Sequence, residues 1–183
     1  MKHLDNKNMK KYCILVDEND VEIGIEEKLK VHQKGLLHRA FSIFIFNSNH
    51  EMLIHKRAYD KYHSGGLWTN ACCSHPQPKE TLEKAVYRRM QEEIGIKCQL
   101  KQIYNFIYKA SLTENNLIEY EFDHVFLGFT NQKPKPNPKE IAEIKWIQIE
   151  SLVNDIKTSP EKYTKWFLIT LDQVLSEYKK YQL

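Results

Sequence analysis

At 183 residues with 42% hydrophobic side chains, the chain has the size of one domain and enough apolar material for a full core, which excludes wholesale disorder. Lys and Arg number 27 against 24 Asp and Glu, a net charge of +3 that is too balanced to indicate nucleic-acid binding. No segment approaches the roughly 20 apolar residues of a membrane span, and the opening MKHLDNKNMK lacks an apolar signal core.

The expected location is therefore the cytoplasm, free of membrane and nucleic acid. Cys13, Cys72, Cys73 and Cys98 form no disulfide-scaffold pattern and read as reduced thiols. One domain over residues 1–183 is expected, with residues 1–10 a flexible leading segment.

In chain order, residues 11–25 read as a strand hairpin turning at Asp17 to Asp20, and Lys28 to His38 as polar and irregular. Ala40 to Phe46 is apolar on both faces, which predicts a central strand buried on both sides. Asn47 to His50 is a turn and Met52 to His55 the partner strand. Asp60 to Gly66 is a loop, followed by a short strand over Trp68 to Cys73.

Lys79 to Ile94 is a predicted helix with Leu82, Val86, Met90 and Ile94 on one stripe and Gly95 as its cap. Strands follow at 99–110 and 118–130, joined across 113–116, then an extended proline-rich loop at 133–138. A strand at 143–149, a helical turn at 151–156 and a long helix at 159–178 complete the chain. Strands outnumber helices, and the helices come singly, which predicts an α+β fold with a mixed sheet packed between helices.

The chemistry concentrates in Trp68-Thr69-Asn70-Ala71-Cys72-Cys73-Ser74-His75-Pro76, where thiols and an imidazole stand close together before a helix rich in acids. That mixture suggests a metal-assisted site with a reactive thiol. Glu119 and Glu121 are two apart on a strand and project from one face. Two carboxylates crowded on an otherwise apolar strand repel each other unless a cation lies between them.

The helix ending Arg88-Arg89-Met90-Gln91-Glu92-Glu93-Ile94-Gly95 resembles the Nudix box, whose glutamates hold Mg²⁺ against a diphosphate. Arg89 stands where that signature has its first glutamate, and the glycine opening the box is not in its usual place. A carboxylate for metal and water activation is lost, and a cation suited to a phosphate oxygen is gained.

One Nudix-fold family departs in the same way, type 1 isopentenyl-diphosphate isomerase, and the chain is similar to it from about Val21 to Trp166. TNACCSHPQ resembles its Thr-Asn-x-x-Cys-x-His-Pro signature. HQKGLLHRAFSIFIF resembles the segment that supplies two histidines, and IEYEF its Glu-x-Glu pair.

The resemblance implies a Nudix-like mixed sheet and an isomerase of isoprenoid biosynthesis, interconverting isopentenyl and dimethylallyl diphosphate. It implies Cys73 and Glu121 as the acid/base pair, with Tyr108 and Trp166 beside them. The sequence leaves open which of the two donates; the preferred assignment has Glu121, helped by the Tyr108 hydroxyl, protonate the alkene and a Cys73 thiolate accept the second proton. Trp166 would present its π face to the cation.

His32, His38, His75, Glu119 and Glu121 are implied as ligands of Zn²⁺, Mn²⁺ or Mg²⁺. Lys28, Arg57, Lys61 and Arg89 would hold the diphosphate, and Glu93 an Mg²⁺ travelling with it. His3, His50, His55, His63 and His124 gain no such support, and Cys72 and Cys98 read as packing residues.

The expected partner is the small diphosphate alone, with no flavin or nicotinamide and a monomer or weak homodimer as the assembly. A Nudix pyrophosphohydrolase is the second reading. A structural zinc at Cys72, Cys73 and His75 is the third, weakened because adjacent cysteines chelate poorly.

Overall fold

The computed structural model describes residues 9–112 and 116–181. Residues 1–8 of the leading segment, and residues 113–115 of the joint between two strands, lie outside them. Within the expected leading segment, Met9–Lys11 forms a 3₁₀ turn and Met9 is buried.

Strands β1 (Tyr12–Val16) and β2 (Glu22–Glu27) form the expected hairpin. The stretch read as irregular is helix α1 (Lys28–Lys34), which turns Val31 and His32 into the interior and stops at Gly35. Apart from Leu29 its exposed positions are polar, so one turn of buried contact decides its conformation.

Strand β3 (His38–Phe46) is the spine of the sheet. One edge pairs in parallel with β8 (Ile118–Phe129) along the whole strand. Its other edge meets β1 near its start, β6 (Cys72–Ser74) in the middle and β4 (Glu51–Arg57) at its end. The strand expected over Trp68 to Cys73 is two pieces. Strand β5 (Trp68–Thr69) pairs with β4, while β6 pairs with β3.

The change of partner is held by Asn70, whose side-chain amide donates to the carbonyls of Ile43 at 3.1 Å and Cys72 at 2.7 Å. Strands β7 (Leu100–Ser111) and β9 (Ile141–Gln148) pair with β8 and β4. The sheet has nine strands among the described residues.

Period-two alternation along β3 sends side chains to two cores. Phe41, Ile43 and Ile45 pack against α2 (Leu82–Ile94) through Val86, Met90 and Ile94. Phe44 and Phe46 pack on the other face against α3 (Ile149–Thr158) and α4 (Lys165–Lys179), through Leu152, Phe167, Leu171 and Val174. Each buried phenylalanine contributes about 1.5–3 kcal/mol, so both helical layers are tied to one strand.

Helix α2 begins three residues later than expected, because the Thr81 hydroxyl accepts the Lys84 N–H and caps it there. It ends at Gly95, whose φ of 63° only glycine adopts cheaply. A Cβ at Gly95 would stand 2.9 Å from Lys135, because the proline-rich loop docks there and donates backbone N–H groups to the carbonyls of Glu93 and Ile94. The long C-terminal helix is also shorter than expected, since Pro160–Lys162 forms a separate 3₁₀ turn before α4. Among the described residues no helix is long and apolar enough to cross a membrane.

Candidate active site

The same alternation builds a polar pocket into the α4 face of the sheet. His38 on β3 lies beside Glu121 on β8, and Ser42 beside Cys73 on β6. Adjacent cysteines on a strand point to opposite faces. Cys73 packs toward the α4 core, while Cys72 is buried in the α2 core. A cavity of about 50 Å³ is lined by Lys28, Arg57, His63, Cys73, His75, Glu119, Glu121 and Trp166, together with Phe41 and Ser74.

At one wall of the cavity, donor atoms of His32, His38, His75 and Glu119 all lie within 4.8 Å of one another. The tautomers follow from the outer nitrogens. His32 Nδ1 stands 2.6 Å from the Lys28 carbonyl and His38 Nδ1 stands 2.9 Å from the Leu36 carbonyl. A carbonyl only accepts, so both Nδ1 atoms carry hydrogen and both Nε2 lone pairs face inward.

His32 Nε2 is 3.1 Å from Glu119 Oε2, yet both atoms are buried without a hydrogen-bond partner. His38 Nε2 meets His75 Nε2 at 3.1 Å, and His75 Nε2 is 2.8 Å from Glu121 Oε1. One orphaned imidazole nitrogen and one orphaned carboxylate oxygen, with two further imidazoles converging on them, are the donor set of a divalent cation, and the residues fit one.

Protonation follows burial and charge. Burial raises the Glu121 carboxyl, but the neighbouring His38 and His75 imidazoles outweigh it and hold the group well below its usual range. Burial holds His75 well below its ordinary value, and burial followed by the Arg57 charge lowers His63 to about 2. His38 is opposite in sign: burial lowers it, but Glu121 prevails and raises it. A metal ion and that proton compete for one lone pair.

Burial pushes the Cys73 thiol up to about 12, with Arg57 opposing and Glu93, Glu121 and Asp123 adding to the rise. Burial thus favours the neutral thiol at Cys73, and the neighbouring histidines favour the charged carboxylate at Glu121. The Tyr108 hydroxyl donates to Glu121 Oε2 at 2.5 Å, and burial together with that carboxylate keeps it well above its ordinary value.

Trp166 lines the cavity and belongs to the core as well. Its indole N–H donates to Thr69 Oγ1 at 2.9 Å, and the Arg57 guanidinium lies 5.2 Å from its ring centroid.

The four expected diphosphate cations divide into two sets. Lys28 and Arg57 face the cavity. Lys61 and Arg89 gather around Glu140, and Arg89 also pairs with Glu92 at 2.7 Å and with Glu93. This second cluster joins the pocket through Arg89 Nε, which donates to Ser74 Oγ at 3.1 Å. Glu93 belongs to the second cluster, and burial raises its carboxyl even though Arg89 opposes the shift. Arg88, the other guanidinium of the helix ending, pairs instead with Glu80 at 2.6 Å and Glu92 at 3.1 Å.

Three residues of this region escaped the sequence reading. His63 is buried with Nε2 3.3 Å from Glu119 Oε1. Its signal was a histidine directly before Ser64-Gly65-Gly66, in the loop leading to the thiol strand. Asp123 extends the Glu119, Glu121 alternation by one step, and Ser42 Oγ donates to it at 2.7 Å. Burial and the Glu121 charge hold its carboxyl well above the usual range. Glu140 had no local signal, since its partners Lys61 and Arg89 lie 79 and 51 residues away in sequence.

His124, His55 and His50 lie outside the pocket, bound to Asp20 at 3.0 Å, the Ala71 carbonyl at 3.2 Å and the Tyr178 hydroxyl at 3.0 Å. Cys98 is half-buried and packs against the α2 core.

Comparison with known proteins agrees with this picture. The NUDIX domain family matches residues 36–167. The chain is 49% identical over 168 residues to isopentenyl-diphosphate Delta-isomerase 1 of Aromatoleum aromaticum, covering 92% of this chain and 94% of that one. It is 50% identical over 159 residues to isopentenyl-diphosphate Delta-isomerase 2 of Photorhabdus laumondii, covering 87% and 89%.

Among solved structures, a MutT protein from Methanosarcina mazei superposes with a TM-score of 0.63 at 21% identity, over 78% of this chain and 96% of that one. A protein from Deinococcus radiodurans superposes with a TM-score of 0.66 at 20% identity, over 80% and 89%. At those identities the structures attest the fold alone.

Proposed function

The chain belongs to the Nudix domain family and, within it, to the isopentenyl-diphosphate Delta-isomerases, and on that premise we propose that it interconverts isopentenyl diphosphate and dimethylallyl diphosphate. The observation that carries this reading is one buried cavity lined by a thiol, Cys73, and by a carboxylate, Glu121, that accepts from the buried Tyr108 hydroxyl.

The reaction adds a proton to the terminal methylene carbon, using the alkene π electrons, and leaves a tertiary centre with cation character. Loss of a proton from the neighbouring CH₂ returns an electron pair as the new double bond. Two proton-handling groups on opposite sides of the five-carbon unit do this without a diffusing base. Cys73 serves one side and Glu121 with Tyr108 the other. The Trp166 face stabilises the cationic centre, and its packing over the cavity limits the access of water that would capture it.

Lys28 and Arg57 bind the diphosphate inside the cavity, with Lys61 and Arg89 at its margin. His32, His38, His75, Glu119 and Glu121 would hold Zn²⁺, Mn²⁺ or Mg²⁺. Such an ion supplies a fixed positive charge that orients Glu121 and tunes its acidity. Glu93 would meet an Mg²⁺ arriving with the diphosphate.

We assign the protein to the cytoplasm, on the support of four free cysteines, and read residues 1–183 as one domain acting as a monomer or weak homodimer. The hydrolase reading loses ground because Arg89 is paired with Glu92, Glu93 and Glu140, where a pyrophosphohydrolase needs open carboxylates.

The test is proton NMR of isopentenyl diphosphate in D₂O with the purified protein, Mg²⁺ and a trace of Zn²⁺ or Mn²⁺. Dimethylallyl signals with deuterium in the new methyl group are expected. An unchanged spectrum from folded, metal-loaded protein would overturn the proposal.

A further inference from the structure

His63 is the imidazole of the pocket that the ligand set does not use. Like Glu121 it lies outside the group of His32, His38, His75 and Glu119 whose donor atoms converge within 4.8 Å, but where Glu121 meets His75 of that group, the His63 Nε2 meets Glu119 Oε1, at 3.3 Å. The other oxygen of that carboxylate, Oε2, is the orphaned atom 3.1 Å from His32 Nε2. Glu119 is thus held between two histidines, one oxygen toward the converging lone pairs and one toward His63.

The loop that carries His63 is built to aim it. Arg57 donates to the carbonyls of His63 and Ser64, each at 3.2 Å. Gly66 takes a φ of 77°, and a Cβ on Gly65 would meet the Tyr59 carbonyl oxygen at 2.7 Å. The His63 ring stacks on His32 at 5.6 Å between centroids and sits edge-on to Trp166 at 6.0 Å and Tyr62 at 4.4 Å. Ser64 Oγ lies 3.4 Å from His63 Nδ1 and, as a hydroxyl, is able to give its hydrogen to that nitrogen while the Glu119 carboxylate only accepts. A hydrogen accepted at Nδ1 leaves the N–H at Nε2, facing Glu119.

The geometry points to His63 as a positioning residue for the metal site: it donates from Nε2 to Glu119 Oε1 and so turns Oε2 toward the cation. A ligating carboxylate free to rotate loses affinity, and such outer partners are worth about 10- to 100-fold in metal binding. The inference rests on the metal reading of the His/Glu set and not on the identity of the substrate.

The experiment titrates the metal-stripped protein with Co²⁺, following the visible ligand-field bands, for the wild type, His63→Ala and His63→Gln. Thermal unfolding of the stripped proteins checks the fold. His63→Ala is expected to weaken Co²⁺ by about 10- to 100-fold with band positions unchanged. His63→Gln, whose amide nitrogen can donate to the same oxygen, should recover most of the loss.

Wild-type affinity in His63→Ala would overturn the proposal. A shifted band pattern would overturn it too, because His63 would then be a ligand itself. Failure of His63→Gln to improve on His63→Ala in folded protein would remove the donor role. If the wild type bound no Co²⁺, the metal reading would fall together with this one, whereas absent isomerase turnover with normal Co²⁺ binding would leave it standing.

Discussion

The two polar clusters of this molecule contain the same kinds of residue and differ in how their charge is met. On the α2 side, Glu80, Glu92, Glu93 and Glu140 are each paired with Arg88, Arg89 or Lys61. On the α4 side, Glu119 and Glu121 face imidazoles and the Tyr108 hydroxyl, and His32 Nε2 and Glu119 Oε2 have no hydrogen-bond partner. The first cluster neutralises itself and the second leaves donor atoms over. Arg89 in place of a carboxylate thus pairs the glutamates of the box helix, while the open donors stand across the sheet, on α1 and β8.

The strongest way to break that comparison is to remove the proton-handling groups of the open site. Cys73→Ala and Glu121→Gln should each lower turnover by about 1,000-fold or more while circular dichroism and unfolding temperature stay near wild type. Either variant retaining near-normal turnover would end the two-sided scheme.

Reopening the closed cluster is the next test. Arg89→Glu brings a further carboxylate beside Glu92, Glu93 and Glu140 and removes a phosphate cation. The Michaelis constant for isopentenyl diphosphate should rise by about 100-fold, roughly 2.7 kcal/mol, without release of inorganic phosphate. An unchanged constant counts against the phosphate role, and steady phosphate release would mean that the single arginine separates isomerase from hydrolase.

His55 gives the smallest effect and serves as the control, a buried imidazole in neither cluster. Burial lowers it to about 3, with the Arg57 charge adding to the shift. A folded-state value below the unfolded one means that the unfolded chain binds the extra proton, so stability is full above about pH 6.5 and declines as pH falls toward 3. Between pH 7 and pH 5 the loss from this residue is about 2 kcal/mol. Urea unfolding of His55→Gln at both pH values should show an acid loss smaller by that amount; equal losses in variant and wild type would count against His55 as the source.

Much of the site could be read along the chain because its parts are local. Cys73 and His75 are two residues apart, Glu119 and Glu121 share a strand face, and the β3 apolar run is long enough to declare itself a central strand. The misreadings have a common cause. Helix α1 is polar in sequence and folds because Val31 and His32 find a core supplied by β8. The Trp68 to Cys73 strand breaks in two because β3 and β4 each claim one half. His63 read as an ordinary loop histidine, since Glu119, its partner, is 56 residues away.

Residue identity and strand alternation therefore determined which chemistry the chain holds: one thiol facing inward, two carboxylates on one face, and imidazoles in reach of them. Only the tertiary structure decided which charges are cancelled. Pairing depends on distances of a few ångströms between side chains distant in sequence, and on burial, which sets how strongly each unpaired group seeks a proton or a cation. Lys61 and Arg89 were equal to Lys28 and Arg57 as sequence. Glu140 made them different, and no local pattern announces Glu140.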